Sequence, residues 1–342
     1  MKKFLKKICI LGLVLSLLGG VLFFVGFAAS GFDIHALSNV QVIQEEYKES
    51  AENEITSITL SLNTSDFTVN FDENATGVSI SYPRLQSKKG KDLNHVTITE
   101  TDGAVAIRET EKFYFSLFSW TSPVLTVTLP SSRIYDLTIE GSTGDVQINE
   151  GARFSNLKVE ISTGDIKLSN VQATELLLKT STGDVQVNGA NVLETLSITA
   201  TTGSPSLFNV TANALFVKTS TGRAKINDAN VAETLSVKTN SGDIRLQGTI
   251  KASAITLVAN TGDVKAKDAL LNSKGIHVET DTGDVTATLT GNEREYATTV
   301  RTDTGRKNIS SNTQLVLDGL IAPDRTLQIK TDTGDIKIYF AE

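Results

Sequence analysis

The chain has 342 residues, of which 39% are hydrophobic and only 6% aromatic, and it carries 32 basic against 39 acidic residues, a net charge of −7. This composition excludes a disordered chain, and the many aliphatic and hydroxyl residues favour β-sheet built from small repeated units. The single cysteine, Cys9, excludes an internal disulfide and a cysteine-based zinc site.

The first element is an apolar segment behind a cluster of lysines. Lys2, Lys3, Lys6 and Lys7 precede an uncharged run from Ile8 to Ala29, which is long enough to cross a bilayer core of about 30 Å. A cleavable signal peptide is the alternative, but its apolar region is shorter, about 7–15 residues. We therefore predict a signal-anchor over residues 8–29, a cytoplasmic tail over 1–7, and an extracytoplasmic remainder, which makes this a single-pass protein of the cell membrane.

The exported part is acidic. Without the four lysines of the tail, 28 basic residues remain against 39 acidic ones, a net charge of −11. This balance excludes nucleic acid and anionic lipid as partners bound through bulk charge. Residues 30–54 include the polar stretch "QVIQEEYKESAENE" and are predicted to be a linker.

Ten Thr-Gly or Ser-Gly pairs follow at near-constant spacing. The steps between their glycines are 20, 19, 20, 19, 20, 20, 21, 22 and 29 residues. Such regularity is typical of a repeat architecture. The glycines, from which positions are counted below, are Gly144, Gly164, Gly183, Gly203, Gly222, Gly242, Gly262, Gly283, Gly305 and Gly334.

Apolar and polar residues alternate on both sides of each glycine, which is the pattern of half-buried strands. The segment between units carries Val171, Val192, Val210 and Val231, which indicate a short third side. One strand, corner, strand and arc of about 20 residues matches one coil of a parallel β-solenoid. We predict an all-β fold, a single-chain β-solenoid of about ten to twelve coils, over residues 55–342. An antiparallel meander or a propeller is the alternative, but neither needs identical residues in every column.

Residues 55–130 are predicted to form degenerate opening coils before the regular repeats of 131–342. "ITLSLNTSDFTVNF" fits the unit with Ser65 in the glycine place, and "VTITETDGAVAIRE" fits it with Gly103 there. Five aromatic residues lie between these coils and the regular array: Phe113, Tyr114, Phe115, Phe118 and Trp120. They form either a plug over the solenoid or an apolar contact surface for a partner.

The tandem "L-x-V-x-(T/S)-x-(T/S)-G-D-(V/I)-x-(V/I)" units behind a membrane anchor resemble the bacterial putative-adhesin family of β-strand-repeat proteins, which includes LiaG-like proteins of cell-envelope stress operons. The resemblance covers about residues 55–342. It implies a β-solenoid on the outer face of the cytoplasmic membrane, with no established enzymatic activity. The chain departs from the pattern at Ser204 and Pro205, at Arg223, and at Arg306 and Lys307. A regular binding face would be interrupted at these positions.

An aspartate follows the glycine in seven of the ten copies: Asp145, Asp165, Asp184, Asp243, Asp263, Asp284 and Asp335. Glycine suits a tight corner, and short polar side chains can bond exposed turn backbone. Cations at position +3 would offset the repulsion between stacked acids: Lys167, Lys225, Arg245, Lys265 and Lys337. Calcium binding is the alternative, but one acid per 20 residues makes no dense oxygen cluster. We predict a structural corner, with no metal and no cofactor.

Catalysis has little support in the sequence. No glycine-rich phosphate loop is present, and His35, His95 and His277 lie in unrelated segments. A polysaccharide lyase or glycosidase on a β-helix scaffold is the enzymatic alternative, but an active site would be a local exception whereas these acids recur.

We predict a non-catalytic protein that presents an interaction surface to a cell-envelope protein, peptide or wall glycan, including a role in the envelope-stress response. A surface adhesin for host or matrix ligands is the second hypothesis. The candidate interaction residues are the five aromatics, Arg223 and Arg306.

Overall fold

The computed structural model describes residues 2–29, 31–32, 40–49, 54–111, 123–310 and 323–341. The described part contains one α-helix, α1 (Lys2–Ala29), one short 3-10 helix (Glu293–Glu295) and 23 strands. The strands before the regular array are β1 (Val40–Lys48), β2 (Ser57–Leu62), β3 (Asp66–Asp72), β4 (Ser79–Ser87), β5 (Asn94–Thr101), β6 (Ala104–Glu111) and β7 (Val124–Pro130).

The array itself begins at β8. Its strands are β8 (Tyr135–Thr143), β9 (Val146–Ile148), β10 (Arg153–Thr163), β11 (Ile166–Thr182), β12 (Val185–Thr202), β13 (Pro205–Thr221), β14 (Ala224–Ser241), β15 (Ile244–Lys251), β16 (Ala254–Thr261), β17 (Val264–Asn272), β18 (Gly275–Thr282), β19 (Val285–Thr290), β20 (Tyr296–Thr304), β21 (Lys307–Ser310), β22 (Arg325–Thr333) and β23 (Ile336–Ala341).

Helix α1 is long and apolar enough to cross a membrane over Gly12–Ala29, and its side chains there are not buried against the rest of the described chain. A membrane anchor and a signal sequence both have this length and composition.

From β8 onward, the strands stack in parallel with each residue beside its equivalent in the next coil. Leu157 of β10 lies between Leu137 of β8 and Leu176 of β11. Strands β11 to β14 have 17 or 18 residues and run from one glycine corner to the next. The predicted all-β solenoid is therefore confirmed.

Each middle coil bends at three places. The first is the glycine corner, and the second follows six residues later, where the backbone is left-handed at Asn170, Gly189, Asn209, Asp228 and Gly248. The third bend lies within the same long strand, before its last straight segment. A register shift marks it, as between β11 and β12 after Ala173. The alternating 19- and 20-residue steps are absorbed at this third bend, so the columns on the other sides stay aligned.

The segment between the second and third bends forms the short third side. Each coil contributes one valine and one alanine to its two buried columns, and their order reverses from coil to coil. The first column reads Val171, Ala190, Val210, Ala229, and the second reads Ala173, Val192, Ala212, Val231. A large side chain therefore always lies beside small ones, which fills the narrow side evenly.

One hydrophobic core runs through the whole stack, from Ile55 to Phe340. The two longer sides face each other through columns of leucine, isoleucine and valine that are almost completely buried, as at Leu235 and Ile244. Burial of these columns is the main favourable term in folding such a stack.

At one end of the stack, the coils are not in chain order. The coil of β2 and β3 lies between the coil of β6 and β7 and the coil of β8 and β9. Ser65 occupies the glycine place in this coil, and its carbonyl group lies against Gly144.

The prediction that Gly103 marks a second opening coil is wrong. Strands β5 and β6 pair antiparallel up to Thr101 and Ala104, so Asp102 and Gly103 form a hairpin turn. Both residues have positive φ, of 48° and 76°, which is the geometry that Asp-Gly favours in two-residue turns. Alternating apolar residues around a glycine suit a hairpin and a coil corner alike, so the pattern alone could not separate them.

This end of the stack is capped by antiparallel strands and a buried carboxylate. Strand β4 pairs with β7, and β1 pairs with β4. Glu109 of β6 points inward and accepts hydrogen bonds from the backbone N–H groups of Asn63, Thr64 and Ser65 and from the Ser65 hydroxyl. Its carboxylate therefore satisfies the backbone donors of the Ser65 corner at the end of the stack.

The other end also departs from chain order. The coil of β22 and β23 lies between the coil of β18 and β19 and the coil of β20 and β21. The β20–β21 coil has Thr298 and Lys307 at positions −7 and +2, where other coils have aliphatic residues, and both are exposed. A charge at an inward position of an edge strand discourages the addition of a further strand.

The glycine corner can be tested by adding a single methyl group. Gly183 has φ of +141°, and a Cβ there would lie 2.5 Å from the carbonyl carbon of Gly164. Gly183→Ala is expected to reduce the free energy of unfolding by about 3 kcal/mol or more, because both backbones must shift. Urea unfolding of the full chain in detergent, followed by circular dichroism, measures the effect.

Gly275→Ala in β18 is the control for this substitution. Its nearest neighbour would be Thr326 Oγ1 at 3.4 Å, and its backbone is not left-handed. We expect a cost below about 1 kcal/mol. Equal urea midpoints for the two variants would show that the corner does not depend on glycine.

Candidate functional site

The glycine corners are bonded to each other along the stack. All ten corner glycines have φ between +137° and +156°. The N–H of Gly203 donates to the carbonyl of Thr221 in the next coil, and its carbonyl accepts from the Thr219 hydroxyl, both at 2.9 Å. Threonines at position −3 make the same carbonyl contact in five further coils: Thr180, Thr239, Thr280, Thr302 and Thr331.

The aspartates after the glycines bond one coil to the next. Asp184 Oδ1 accepts the backbone N–H of Ser204 at 2.8 Å, and the N–H of Asp184 donates to Asp165 Oδ1 at 2.9 Å. The same acceptor role is filled by Asp66, Asp145, Asp243, Asp263, Asp284 and Asp335. The neighbouring N–H groups donate to carbonyls of the next coil, so the aspartate supplies the acceptor for the remaining donor.

This use of the acids bears directly on metal binding. One oxygen of each aspartate accepts a backbone N–H from the next coil. Within the described ranges, no three His, Cys, Asp or Glu side chains lie together as a metal-binding group.

The aspartate column is interrupted at the successive coils of Gly203 and Gly222, which have Ser204 and Arg223 in the aspartate place. Ser204 Oγ still accepts the N–H of Arg223 at 3.2 Å, but Arg223 offers no acceptor to the coil that follows. Its guanidinium instead lies 3.5 Å from the carboxylate of Asp243. Arg223 therefore replaces a hydrogen bond with an ion pair, and its coil has no corner acid.

A group of basic side chains begins at this interruption. Lys225, Arg245 and Lys265 are direct neighbours in the +3 column, which continues with Thr286 and Lys337. The earlier regular coils have only one cation at this position. We name this group the basic face, and its residues are Arg223, Lys225, Arg245, Lys265, Lys267 and Lys337.

Charge on the basic face is only partly balanced. Asp243 contacts both Arg223 and Arg245, and Asp263 contacts Lys265 at 2.7 Å. In the described structure, no carboxylate lies within 4 Å of Lys225, Lys267 or Lys337. Direct ion pairs between corner acids and +3 cations therefore form at Lys167, Arg245 and Lys265 but, in the described structure, not at Lys225 or Lys337.

A groove of 290 Å³ crosses the basic face. Its lining includes Arg245, Lys265, Lys267, Asp268 and Thr286. One wall exists because β17 has more residues than either neighbour: it is out of register with β15 after Lys265 and with β19 after Ala266. The Nε of Arg245 is buried and has no hydrogen-bond partner among the described residues.

The other predicted interaction residues do not join this site. Arg306 lies on the terminal β20–β21 coil, five coils or about 24 Å from Arg223. Its backbone N–H and its guanidinium both bond Asp335, at 2.9 Å each. The five aromatics, Phe113 to Trp120, lie outside the described residues, in the connection between β6 and β7.

The sequence analysis did not predict the groove. Its only signal was the 21-residue step after Gly262, where the regular coils have 19 or 20. The +3 cations were visible but were interpreted as counter-charges, and Lys267 stood outside the counted columns. Of the histidines, His277 is half exposed on β18, and its Nε2 lies 3.7 Å from Glu279. This contact pairs the histidine with an acid and not with a nucleophile.

Fold and corners together define a β-strand-repeat protein of the solenoid type. The Toastrack DUF4097 family matches residues 55–255, more than half of the sequence, and the chain belongs to this family. The resemblance to a putative-adhesin-like β-repeat family is thereby confirmed. A comparison with curated proteins gives no match.

The solved structures to which the chain is similar include three from Parabacteroides. A putative adhesin from Parabacteroides distasonis is 11% identical, with 87% of this chain and 97% of that chain covered and a TM-score of 0.36. A putative lipid binding protein from the same organism is 15% identical over 88% and 97%, with a TM-score of 0.31. A putative adhesin from Parabacteroides merdae is 14% identical over 88% and 97%, with a TM-score of 0.30. At these TM-scores the likenesses carry no argument about function.

The acceptor role of the aspartates can be isolated at Asp184, which has no ion pair in the described structure. Asp184→Ala removes the acceptor for the Ser204 N–H and should cost about 1–2 kcal/mol of unfolding free energy. Asp184→Asn keeps an oxygen at the same place and should cost much less. Urea midpoints of the two variants give the comparison, and a larger loss for Asn than for Ala would contradict the acceptor role.

Charge makes a separate contribution at Asp263. Burial raises the pKa of this carboxyl, but hydrogen bonds from Lys265 and from the backbone N–H of Asp284 outweigh it and hold the pKa below its ordinary value. Because the folded pKa is lowered, the stabilisation is present above the unfolded pKa of about 3.9 and is lost as pH falls through the folded value.

Asp263→Asn should therefore be less stable than the parent chain at pH 7, and the difference should disappear in acid below the folded pKa. Thermal unfolding measured from pH 7 down to pH 3 tests this dependence. A difference that stays constant over that range would mean that the charge of Asp263 makes no contribution.

Proposed function

We propose that the chain is a membrane-anchored, extracytoplasmic and non-catalytic β-solenoid that presents a binding surface to another component of the bacterial cell envelope. The observation that carries this proposal is that two groups of charged side chains on one face of the solenoid have different roles. The repeated acids are used as acceptors between coils, while the basic face is a local exception on an otherwise regular scaffold.

The anchor and its orientation rest on α1 and its lysines. The helix is long enough to span a bilayer, and the four lysines before its apolar run favour a cytoplasmic N-terminus. Everything after residue 30 would then be outside. The resemblance to LiaG-like proteins of envelope-stress operons supports a role in the response to envelope stress.

The absence of catalysis is part of the proposal. Glycoside hydrolysis needs a pair of carboxyl groups with different protonation states across a scissile bond. The corner acids instead form a uniform column in which each carboxylate accepts a backbone N–H. Among the described residues, the basic face contributes cations rather than a pair of carboxyl groups, which suits binding better than glycoside hydrolysis.

Labelling in intact cells tests orientation. In a Cys9→Ala background, Leu193→Cys places a thiol at a solenoid position that is 69% exposed, and Lys3→Cys places one in the predicted cytoplasmic tail. A membrane-impermeant maleimide should label the Leu193 variant in intact spheroplasts and the Lys3 variant only after lysis. The reverse pattern, or a labelled protein free in the medium, would overturn the anchored arrangement.

Binding and turnover are then measured on the purified full chain in detergent. Retention on isolated envelope material from the same bacterium, without release of soluble fragments, is the expected result. Release of fragments from any wall or capsular polysaccharide would make the protein an enzyme. Saturable binding to foreign cells or extracellular matrix, with none to its own envelope, would instead favour an adhesin.

A further inference from the structure

The groove on the basic face contains a guanidinium that the protein engages only weakly. In the described structure, the side chain of Arg245 is 42% exposed and bonds Asp243 at 3.4 Å. Guanidinium groups bond planar anionic oxygens especially well. An anionic oxygen in the groove would accept from the exposed N–H groups of this guanidinium.

The surrounding charges point to the same class of ligand. Among the described residues, the six cations of the basic face form ion pairs with only two carboxylates, Asp243 and Asp263, and one further carboxylate, Asp268, lines the groove. Lys225, Arg245 and Lys265 are also stacked on successive coils, about 4.8 Å apart, where like charges repel. A bound anion would relieve this repulsion, although the chain as a whole is acidic.

The dimensions favour a chain of anions over a single small one. The +3 column from Lys225 to Lys337 spans four coil steps, about 19 Å. A free phosphate would reach one or two of these cations, whereas a linear polymer can contact all of them. Neutral hydrogen-bonding side chains, Gln247 and Thr286, line the groove between the cations.

Aromatic side chains lie at both ends of the basic face. Phe208, 48% exposed, and the half-buried Tyr339 are outward residues at position +5 of their coils. Phe208 lies on the Gly203 coil, which precedes the basic face, and Tyr339 lies on the Gly334 coil, the last one of that face. Exposed rings beside hydrogen-bonding groups suit the apolar faces and hydroxyls of sugars. The ligand is therefore better matched by a charged glycan than by a polymer of charge alone.

We propose that the basic-face groove binds a linear anionic glycan polymer of the cell envelope, through phosphate or carboxylate groups spaced along its chain. Arg245 contacts an anionic group in the groove, while Lys225, Lys267 and Lys337 contact neighbouring groups. The inference rests on the proposed function in one respect: the solenoid must lie outside the membrane, where it can reach an envelope glycan. The binding itself is measured on purified protein.

The test uses the full chain in zwitterionic detergent and two fluorescent probes, poly(glycerol phosphate) and polygalacturonate. Binding of either probe, weakened by salt, is the expected result, and the preferred probe identifies phosphate or carboxylate as the recognised group. The double variant Lys225→Glu with Lys267→Glu should weaken binding by about tenfold or more.

The matched control is Lys218→Glu with Lys238→Glu. These lysines are also exposed and are neighbours on successive coils, but they lie before the glycine corner on another side of the solenoid. The change in net charge is identical, and binding should stay within about twofold of the parent chain. Arg245→Gln, which keeps N–H donors on a shorter side chain without the charge, should reduce affinity without changing the urea midpoint by much.

Three results would overturn the proposal: no binding of either probe, equal loss in both double variants, or tighter binding to duplex DNA or anionic vesicles than to both probes. The labelling experiment separates this inference from the proposed function. If the solenoid lies in the cytoplasm and yet the groove binds the probes, the orientation is wrong while the groove assignment stands.

Discussion

The whole solenoid depends on the contact between successive glycine corners. The backbone of one corner lies so close to the next that a Cβ at any of the ten glycines would meet a carbonyl carbon at 2.5–2.9 Å. Only a residue without a side chain allows this approach, and the approach brings the N–H and carbonyl groups of adjacent corners into bonding distance. Because every coil is fixed at the same point, its apolar residues fall beside those of the next coil and form continuous columns.

The polar residues near the corner complete this contact. Buried threonines bond the glycine carbonyls, aspartates accept the remaining N–H, and Glu109 does the same for the Ser65 corner at the end of the stack. The Thr-Gly-Asp motif resembles a reactive site when it is read alone, but in the structure its polar groups bond one coil to the next. The side chains that remain available for recognition lie outside these contacts, and the replacement of an acid by Arg223 is the point at which the basic face starts.

Periodic features were predictable from the sequence because they repeat: the coil, its corner and the third side all follow from columns of equal residues. Gly103 was misinterpreted because one Asp-Gly turn between alternating strands has the same local pattern as a corner. The order of the end coils could not be predicted, since pairing of β2 with both β6 and β8 is a long-range choice without a local signal. The groove depends on the extra residues in β17, and its charge depends on which lysines form ion pairs with aspartates. Both are properties of three-dimensional packing.

The displaced coils at the two ends impose an order of assembly. A simple stack could grow on the ribosome one coil at a time, each docking on the one before it. Strands β20 and β21 cannot do so, because their neighbour in the sheet, β22 with β23, is synthesised after them. Similarly, the β2–β3 coil acquires both of its neighbours only after β6 to β9 have been made. The N-terminal end can therefore close as soon as β9 has been made, whereas the C-terminal end can close only after β22 and β23 have been made. The C-terminal end of the stack is thus the last region to become protected from proteases and aggregation during synthesis.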